Sequence, residues 1–189
     1  MTVEQPRLET ERLRLRPLGL DDAPAVAEYA GAWEIADVTL SIPHPYEPNM
    51  AREWIAAHPA AFQRGEQAVF GILQRSENRL VGVSSLQIAA EHQRAELGYW
   101  IGTPFWGRGY CTEAARALLA YGFRELGLNR IIAYHVARNP ASGRVMQKIG
   151  MTREGVLRKH VRKWDQFEDV VTYGVLRGEW EDGKEGLSP

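Results

Sequence analysis

Trp100-Ile101-Gly102-Thr103-Pro104-Phe105-Trp106-Gly107-Arg108-Gly109-Tyr110-Cys111-Thr112-Glu113 leads from an apolar run through a glycine turn into an amphipathic helical pattern. Gly107 and Gly109 tolerate backbone angles and close approaches that side-chain-bearing residues resist, so successive N–H groups can converge on an anion at the positive end of the helix. Read alone, the same glycines could simply make a tight strand-to-helix turn. A second element favours a ligand: Asn139-Pro140-Ala141-Ser142 opens another helix one strand later and is followed by Val145-Met146-Gln147-Lys148-Ile149-Gly150-Met151. Two nucleotide-binding alternatives fail. A dinucleotide fingerprint needs a third glycine where Thr112 stands, and the Gly-Lys-Ser/Thr ending of a P-loop is absent.

These residues must be positioned by a chain of 189 residues that is 44% hydrophobic and 25% charged, which suits one globular domain over residues 1–180 with a polar tail over 181–189. Lysine and arginine total 23 against 24 acidic residues, and a net charge of -1 argues against a generic nucleic-acid binder or a polybasic membrane protein. The single cysteine excludes an internal disulfide framework. No apolar run reaches the roughly 18 residues of a spanning helix, and residues 1–7 lack a signal core, so a soluble cytoplasmic protein is expected.

Along the chain, short strands alternate with helices without a linker or repeat. Arg12 to Arg16 alternates at period two with Leu13 and Leu15 inward, and Asp21-Asp22-Ala23-Pro24 starts a helix to about Ala30. Residues 31–47 read as irregular. A helix then runs from about Asn49 to Arg64, and Pro59 is expected to break or kink it near His58. Ala68 to Gln74, Arg79 to Ile88 and Arg94 to Ile101 read as an antiparallel meander. Helical spacing from Thr112 to Leu126 ends at Gly127; a strand spans Ile131 to Val136, and a helix spans Pro140 to Ile149. Two closing strands, Met151 to Arg162 and Phe167 to Leu176, complete a mixed sheet, with a frayed tail from Glu181.

Thr10 to Arg16, Glu96-Leu97-Gly98-Tyr99-Trp100-Ile101, Gly107 to Ala114, Asn139 to Met151 and Phe167-Glu168-Asp169-Val170-Val171-Thr172-Tyr173 together resemble the GNAT-superfamily N-acetyltransferases, in particular the RimJ/RimL-type branch. The resemblance implies an α/β (α+β) GNAT fold, a mixed, mostly antiparallel central sheet flanked by helices, with acetyl-CoA as cosubstrate. Two departures stand out: Trp106 replaces the usual Gln or Arg that opens the pyrophosphate motif, and Cys111 stands where Gly or Ala is usual. Neither removes a backbone donor.

By this resemblance the pyrophosphate lies on the amides of Gly107, Arg108, Gly109, Tyr110, Cys111 and Thr112, with Arg108 available for phosphate charge and no cation required. Pantetheine pairs with the main chain of Tyr99, Trp100 and Ile101 as an added strand. The rings of Tyr99 and Trp100 read as core aromatics. The thioester sits where this strand splays from Arg130 to Val136, and an amide near Trp100 or Ile101 can stabilise the oxyanion, worth roughly 3 kcal/mol per donor.

Proton handling needs a base for the attacking amine and an acid for the departing thiolate. Glu96 is the candidate base if burial raises its pKa, and an ordinary strand carboxylate if it faces solvent. Ser142 resembles the branch's serine near the sulfur and is the candidate acid, while Asn139 and Pro140 form a good cap and first-turn pair that Ser142 could simply complete. The tyrosine acid of other branches falls at Met146. Cys111 reads either as a thiol with lowered pKa at a helix start or as a small residue under the loop. Asp169 matches a family acidic position or serves as a turn acceptor, and Arg158-Lys159-His160-Val161-Arg162-Lys163 reads as a solvated face or a contact with an acidic partner. The five histidines show no ligand spacing, so no metal is expected.

The expected reaction is direct transfer from acetyl-CoA to a primary amine, favouring a protein or peptide N-terminus of the ribosomal-protein type. Trp33, Ile35, the Ser41-Ile42-Pro43-His44-Pro45-Tyr46 loop and the closing strands are candidates for the acceptor groove, with Trp33, His44 and Tyr46 foremost, since loops carry substrate-specific surfaces. A small amine (polyamine, amino acid or aminoglycoside) is the alternative acceptor, and a non-catalytic acyl-CoA-binding sensor the alternative role. No direct nucleic-acid or membrane partner is expected, and a homodimer would suit the family.

Overall fold

The computed structural model describes residues 4–185. In chain order its elements are β1 (Leu8–Glu9), β2 (Leu13–Arg16), α1 (Ala23–Ala30), α2 (Trp33–Ala36), α3 (Pro48–Gln63), β3 (Gln67–Gln74), β4 (Arg79–Ala89), β5 (Arg94–Ile101), α4 (Tyr110–Arg124), β6 (Arg130–Val136), α5 (Pro140–Lys148), β7 (Thr152–Lys163), β8 (Gln166–Leu176) and α6 (Arg177–Glu185). The strands form one sheet in the order β1-β2-β3-β4-β5-β6-β8-β7. All neighbours are antiparallel except β5 and β6, so the sheet is mixed and mostly antiparallel as expected.

Period-two alternation sends the central strands' side chains into two cores. On β3, Ala68, Phe70 and Ile72 join Leu13, Leu15, Leu97, Leu118 and Leu119 on the α4 side, while Val69 and Leu73 join Val26, Ala51 and Ile55 on the α1–α3 side. An irregularity opposite Ile72 and Leu73 adds one residue to β4, so Val81 turns to the α4 side while Leu80 and Val83 face the α1–α3 side. With both faces covered, β3 is a nearly continuous buried run.

The parallel pair positions the site. β5 and β6 pair only through Arg94↔Arg130, Ala95↔Ile131 and Glu96↔Ile132, and then separate. Beyond Glu96 an open wedge therefore runs between Leu97–Ile101 and Ala133–Val136, near the start of α5.

Several expectations are corrected. Pro59 does not end α3, which continues to Gln63. Its lost N–H and ring clash cost about 3 kcal/mol, but the buried stripe Ala51, Ile55, His58 and Ala61 spans both sides of the proline and holds the two halves on β3 and α1. Residues 33–36, expected to be irregular, form α2. The two-residue β1 pairs with β2, and α4 starts at Tyr110 rather than Thr112. The tail expected from Glu181 is helical to Glu185: the Glu179 carboxylate accepts from the Leu176 amide at 2.9 Å, and Trp180 packs beside Phe123 with ring centroids 5.3 Å apart. The last four positions of that tail, 186–189, lie outside the described residues. Among the described residues no helix is long and apolar enough to cross a membrane.

Candidate active site

The glycine turn is held from behind by the connection between β1 and β2. The Thr10 hydroxyl donates to Glu113 Oε1 at 2.6 Å, the Arg12 amide to the same oxygen at 2.9 Å, and Arg12 Nε to Glu113 Oε2 at 2.7 Å. Arg12 Nη1 also donates to the Arg108 carbonyl at 2.9 Å. Burial pushes the Glu113 carboxyl up, but these donors outweigh it and hold it below its ordinary value. The one acid in the first turn of α4 is thus charge-balanced, and it does not repel an anion at the helix start. Gly107 and Gly109 adopt φ of 75° and 78°. A Cβ at Gly107 would meet nothing within 4 Å, so this turn is open on its outer side.

Around it, Tyr110 accepts at its hydroxyl from Gln74 Nε2 at 2.8 Å, and Thr112 is half-buried in the first turn. Arg108 lies over the Phe105 ring and donates to Pro104 O at 3.3 Å. Trp106 donates its indole N–H to the Ile101 carbonyl at 2.6 Å, pinning the end of β5 to the turn. Burial pushes the Cys111 thiol up to about 12, which rejects a low-pKa nucleophile and leaves the small-residue reading.

On β5, Gly102 donates to Val81 O at 2.8 Å, and the β4–β5 register is unbroken from Gly82↔Ile101 to Ala89↔Arg94. Alternation then turns the main chain of Gly98 and Trp100 towards β4, and that of Tyr99 and Ile101 into the wedge. The expected main-chain contact of Trp100 is corrected accordingly: its amide is engaged by β4, and its ring packs on the α1–α3 core. Tyr99 and Ile101 supply the open-side N–H groups.

A cavity of about 460 Å³ runs through the wedge. On the α5 side it is lined by Tyr99, Asn139, Ser142 and Met146, and on the α1–α3 side by Glu96, Gln87, Tyr134, Tyr46 and Trp54. Asn139 caps α5 as expected, its Oδ1 accepting from the Ser142 amide at 3.4 Å. The Tyr99 hydroxyl is 3.0 Å from both the Ser142 carbonyl and Ser142 Oγ, so the two hydroxyls form one chain. Burial keeps Tyr99 protonated well above its ordinary range. The Glu96 carboxyl is raised by burial against the opposing pull of the Tyr134 hydroxyl and Arg94, and Tyr134 is in turn pushed up to about 12 by burial and the Glu96 charge.

Of the expected acceptor residues, Ser41, Ile42, Pro43 and Tyr46 line the cavity, whereas Trp33, Ile35 and His44 do not. Trp33 instead stacks on Trp164 (centroids 5.2 Å apart, planes at 15°) and meets His44 edge-on at 5.2 Å. Trp164 sits in the β7–β8 turn and donates to Asp37 Oδ1 at 3.0 Å, while Lys163 Nζ donates to Ile42 O at 3.1 Å. Arg138 ties the Asp37 carbonyl (2.7 Å) to Glu168 (2.7 Å). Val38 to Pro43 line the cavity, so the hairpin tip and Arg138 fix its wall. The sequence named the closing strands as a wall of the groove, while Tyr134, Trp54 and Arg138 carried no local signal for it. Asp169 is a hydrogen-bond acceptor within β8 rather than at a turn, its Oδ1 receiving the Lys159 amide at 2.8 Å at the β7 irregularity. Among the described residues no group of three or more His, Cys, Asp or Glu could hold a metal.

A family profile described as an acetyltransferase (GNAT) domain matches residues 12–152, the span from the Arg12 clamp past α5. The chain belongs to the GNAT acetyltransferases. The uncharacterized N-acetyltransferase YnaD of Bacillus subtilis is 34% identical over 176 residues, covering 92% of this chain and 98% of its own. The ribosomal protein uS5-alanine N-acetyltransferase of Escherichia coli is 26% identical over 198 residues, covering 96% of each. Among solved structures, a GNAT-family acetyltransferase from Bacillus anthracis superposes with a TM-score of 0.82 at 29% identity, covering 92% of this chain and 99% of that one. The RimL ribosomal-protein acetyltransferase solved with coenzyme A shares the fold, with a TM-score of 0.83 at 22% identity over 90% of this chain and 98% of that one. This GNAT chain is an N-acetyltransferase.

Proposed function

We propose that the protein transfers acetyl from acetyl-CoA directly to a primary amine, with a protein or peptide N-terminus as the favoured acceptor. The observation that carries this reading is the continuous cavity with Glu96 on one side of the wedge and the Tyr99–Ser142 hydroxyl pair on the other. The residues present fit the cosubstrate: an open turn with positive-φ glycines, a first-turn acid already neutralised, and strand amides at Tyr99 and Ile101 facing an unpaired edge. Bound there, acetyl-CoA supplies an activated acyl group and a thiolate leaving group.

Glu96, raised by burial, accepts the proton of the incoming ammonium, directly or through water. Ser142, its hydroxyl linked to a tyrosine that stays protonated, returns a proton on the opposite side. Met146 lines the same wall and has no proton to give. The N–H groups of Tyr99 and Ile101 are the donors placed to meet developing negative charge.

The relatives that act on ribosomal-protein N-termini support the choice of acceptor. So does the cavity itself: among its described lining residues Glu96 is the one acid, whereas a polycationic small amine would call for several. The test is CoA thiol release from acetyl-CoA across a panel of N-terminal peptides and small amines. Release with peptides supports the reading. Release with small amines alone moves the acceptor to that class, and CoA binding without any release favours an acyl-CoA sensor.

A further inference from the structure

The basic run that the reaction does not use lies on the sheet's outer edge. β7 is the last strand, and residues 152–163 carry Arg153, Arg158, Lys159, Arg162 and Lys163 against Glu154 alone. Glu154 is paired with Arg130, so it offsets none of the outer charges. Among the described residues the side chains of Arg158, Lys159 and His160 are exposed and have no hydrogen-bond or ion-pair partner. Between Leu157↔Val170 and Val161↔Glu168 the ladder is interrupted, and Lys159 adopts φ 48° with its amide held by Asp169. The interruption sets these three side chains on a bulge that is anchored by its own hydrogen bond.

The bulge is close to the acceptor side of the cavity. Val136 and Tyr134 line that cavity on β6; Val136 pairs with Val170 on β8, and Val170 pairs with Leu157 on β7. At about 4.8 Å per strand, the bulge lies about 10 Å across the sheet from Val136; Glu96 lies on the next strand, level with Ile132 and so about 16 Å back along the strands, which puts it about 22 Å from Lys159. The tip of the same hairpin is fixed to the cavity wall through Lys163 and Trp164.

We propose that the β7 bulge is a docking arm for an acidic segment of the acceptor polypeptide, lying about six to seven residues beyond the amine that is acetylated. An extended chain advances about 3.3 Å per residue, so a peptide whose N-terminus reaches Glu96 brings its seventh or eighth residue to Arg158, Lys159 and His160. The charge there is positive, unpaired and held on a strand, the arrangement that selects carboxylates by charge rather than by shape. This inference rests on the peptide-acceptor reading and narrows it to peptides with Asp or Glu at those positions.

The test compares peptides that share their first five residues and differ only at positions six to nine, which are acidic, neutral or basic. With the full-length protein at low salt, kcat/KM for the acidic peptide exceeds that for the neutral one about tenfold or more. The ratio collapses towards one in 0.5 M salt, because exposed charges are screened. In the Arg158→Glu/Lys159→Glu variant, checked for an unchanged melting temperature, the order inverts in favour of the basic peptide. A second variant, Arg158→Gln, lowers the ratio without inverting it. Equal rates for acidic and neutral peptides would overturn the docking arm and leave the peptide-acceptor reading standing. Turnover with small amines and with no peptide would overturn both. Equal peptide rates combined with charge-dependent binding of a single-stranded RNA oligonucleotide would reassign the arm to nucleic acid.

Discussion

On the α4 and α5 side of the wedge the contacts on offer are mainly main-chain amides, fixed by two positive-φ glycines, an Asn cap and a strand edge left unpaired, with the Tyr99–Ser142 hydroxyl pair beside them. On the α1–α3 side they are side chains gathered from distant stretches: Tyr46 and Trp54 from the α3 region, Gln87 from β4, Glu96 from β5 and Tyr134 from β6. A backbone site presents the same donors whatever its neighbours, which suits a ligand common to a family. A side-chain site is set by individual substitutions, which suits an acceptor that differs between members. The two halves meet only where β5 and β6 part.

Changing one half should leave the other intact, and Glu96→Gln is the sharpest case. It should lower kcat/KM about 10²–10³-fold and remove the acidic limb of the rate profile, because Glu96 works only when deprotonated. CoA affinity measured by calorimetry should not change. A parallel loss of CoA binding would break the comparison.

A stability effect of similar size belongs to the acceptor half. His58 is buried, neither ring nitrogen has a partner, and its ring meets Trp54 edge-on at 4.3 Å. Burial lowers its pKa to about 4. The unfolded chain takes up this proton below about pH 6.5 while the folded chain resists it until about pH 4, so folding stability falls as pH drops through that window. His58→Leu should abolish this loss, which is at most about 3 kcal/mol at one pKa unit per 1.36 kcal/mol. Urea titrations at pH 7.5 and 4.5 would measure it.

Ser142→Ala should lower kcat about tenfold with little change in CoA affinity, since the Ser142 carbonyl still holds Tyr99 while the hydroxyl is lost. The smallest effect falls on the cofactor half. Glu113→Gln leaves Arg12 without its charged partner and should cost about 1 kcal/mol, given that the Arg12 side chain is 47% exposed and screened. Because the Glu113 carboxyl lies below its ordinary value when folded, the stabilisation is present above about pH 4.5 and lost as pH falls through the lowered value; the variant should lack this acid-range slope. Thermal melts across pH 3–6 would show it.

The geometry of the half proposed to hold the cosubstrate was readable because its determinants are local. Gly107, Gly109 and the Asn139-Pro140 start each declare a turn or cap within a few residues, and the apolar spacing after Thr112 declares α4. Even there, register decided what spacing could not, by engaging the amide of Trp100 with β4 and freeing those of Tyr99 and Ile101. The acceptor half is non-local. Tyr134 looks like any strand aromatic until the parallel register Glu96↔Ile132 brings it beside Glu96. Trp33 and His44 were expected in the groove, yet the long β7–β8 hairpin reaches back and stacks Trp164 on Trp33 instead. Pro59 carries a local breaking signal that tertiary burial of its helix overrides.

The central claim is that one cavity joins a backbone-built cosubstrate site to a Glu96-centred acceptor site. The direct test is peptide-dependent CoA release by the wild type and by Glu96→Gln at matched, measured CoA occupancy. The account predicts release by the wild type and a loss of at least about 100-fold in the variant with CoA affinity unchanged. Undiminished release by the variant would contradict it.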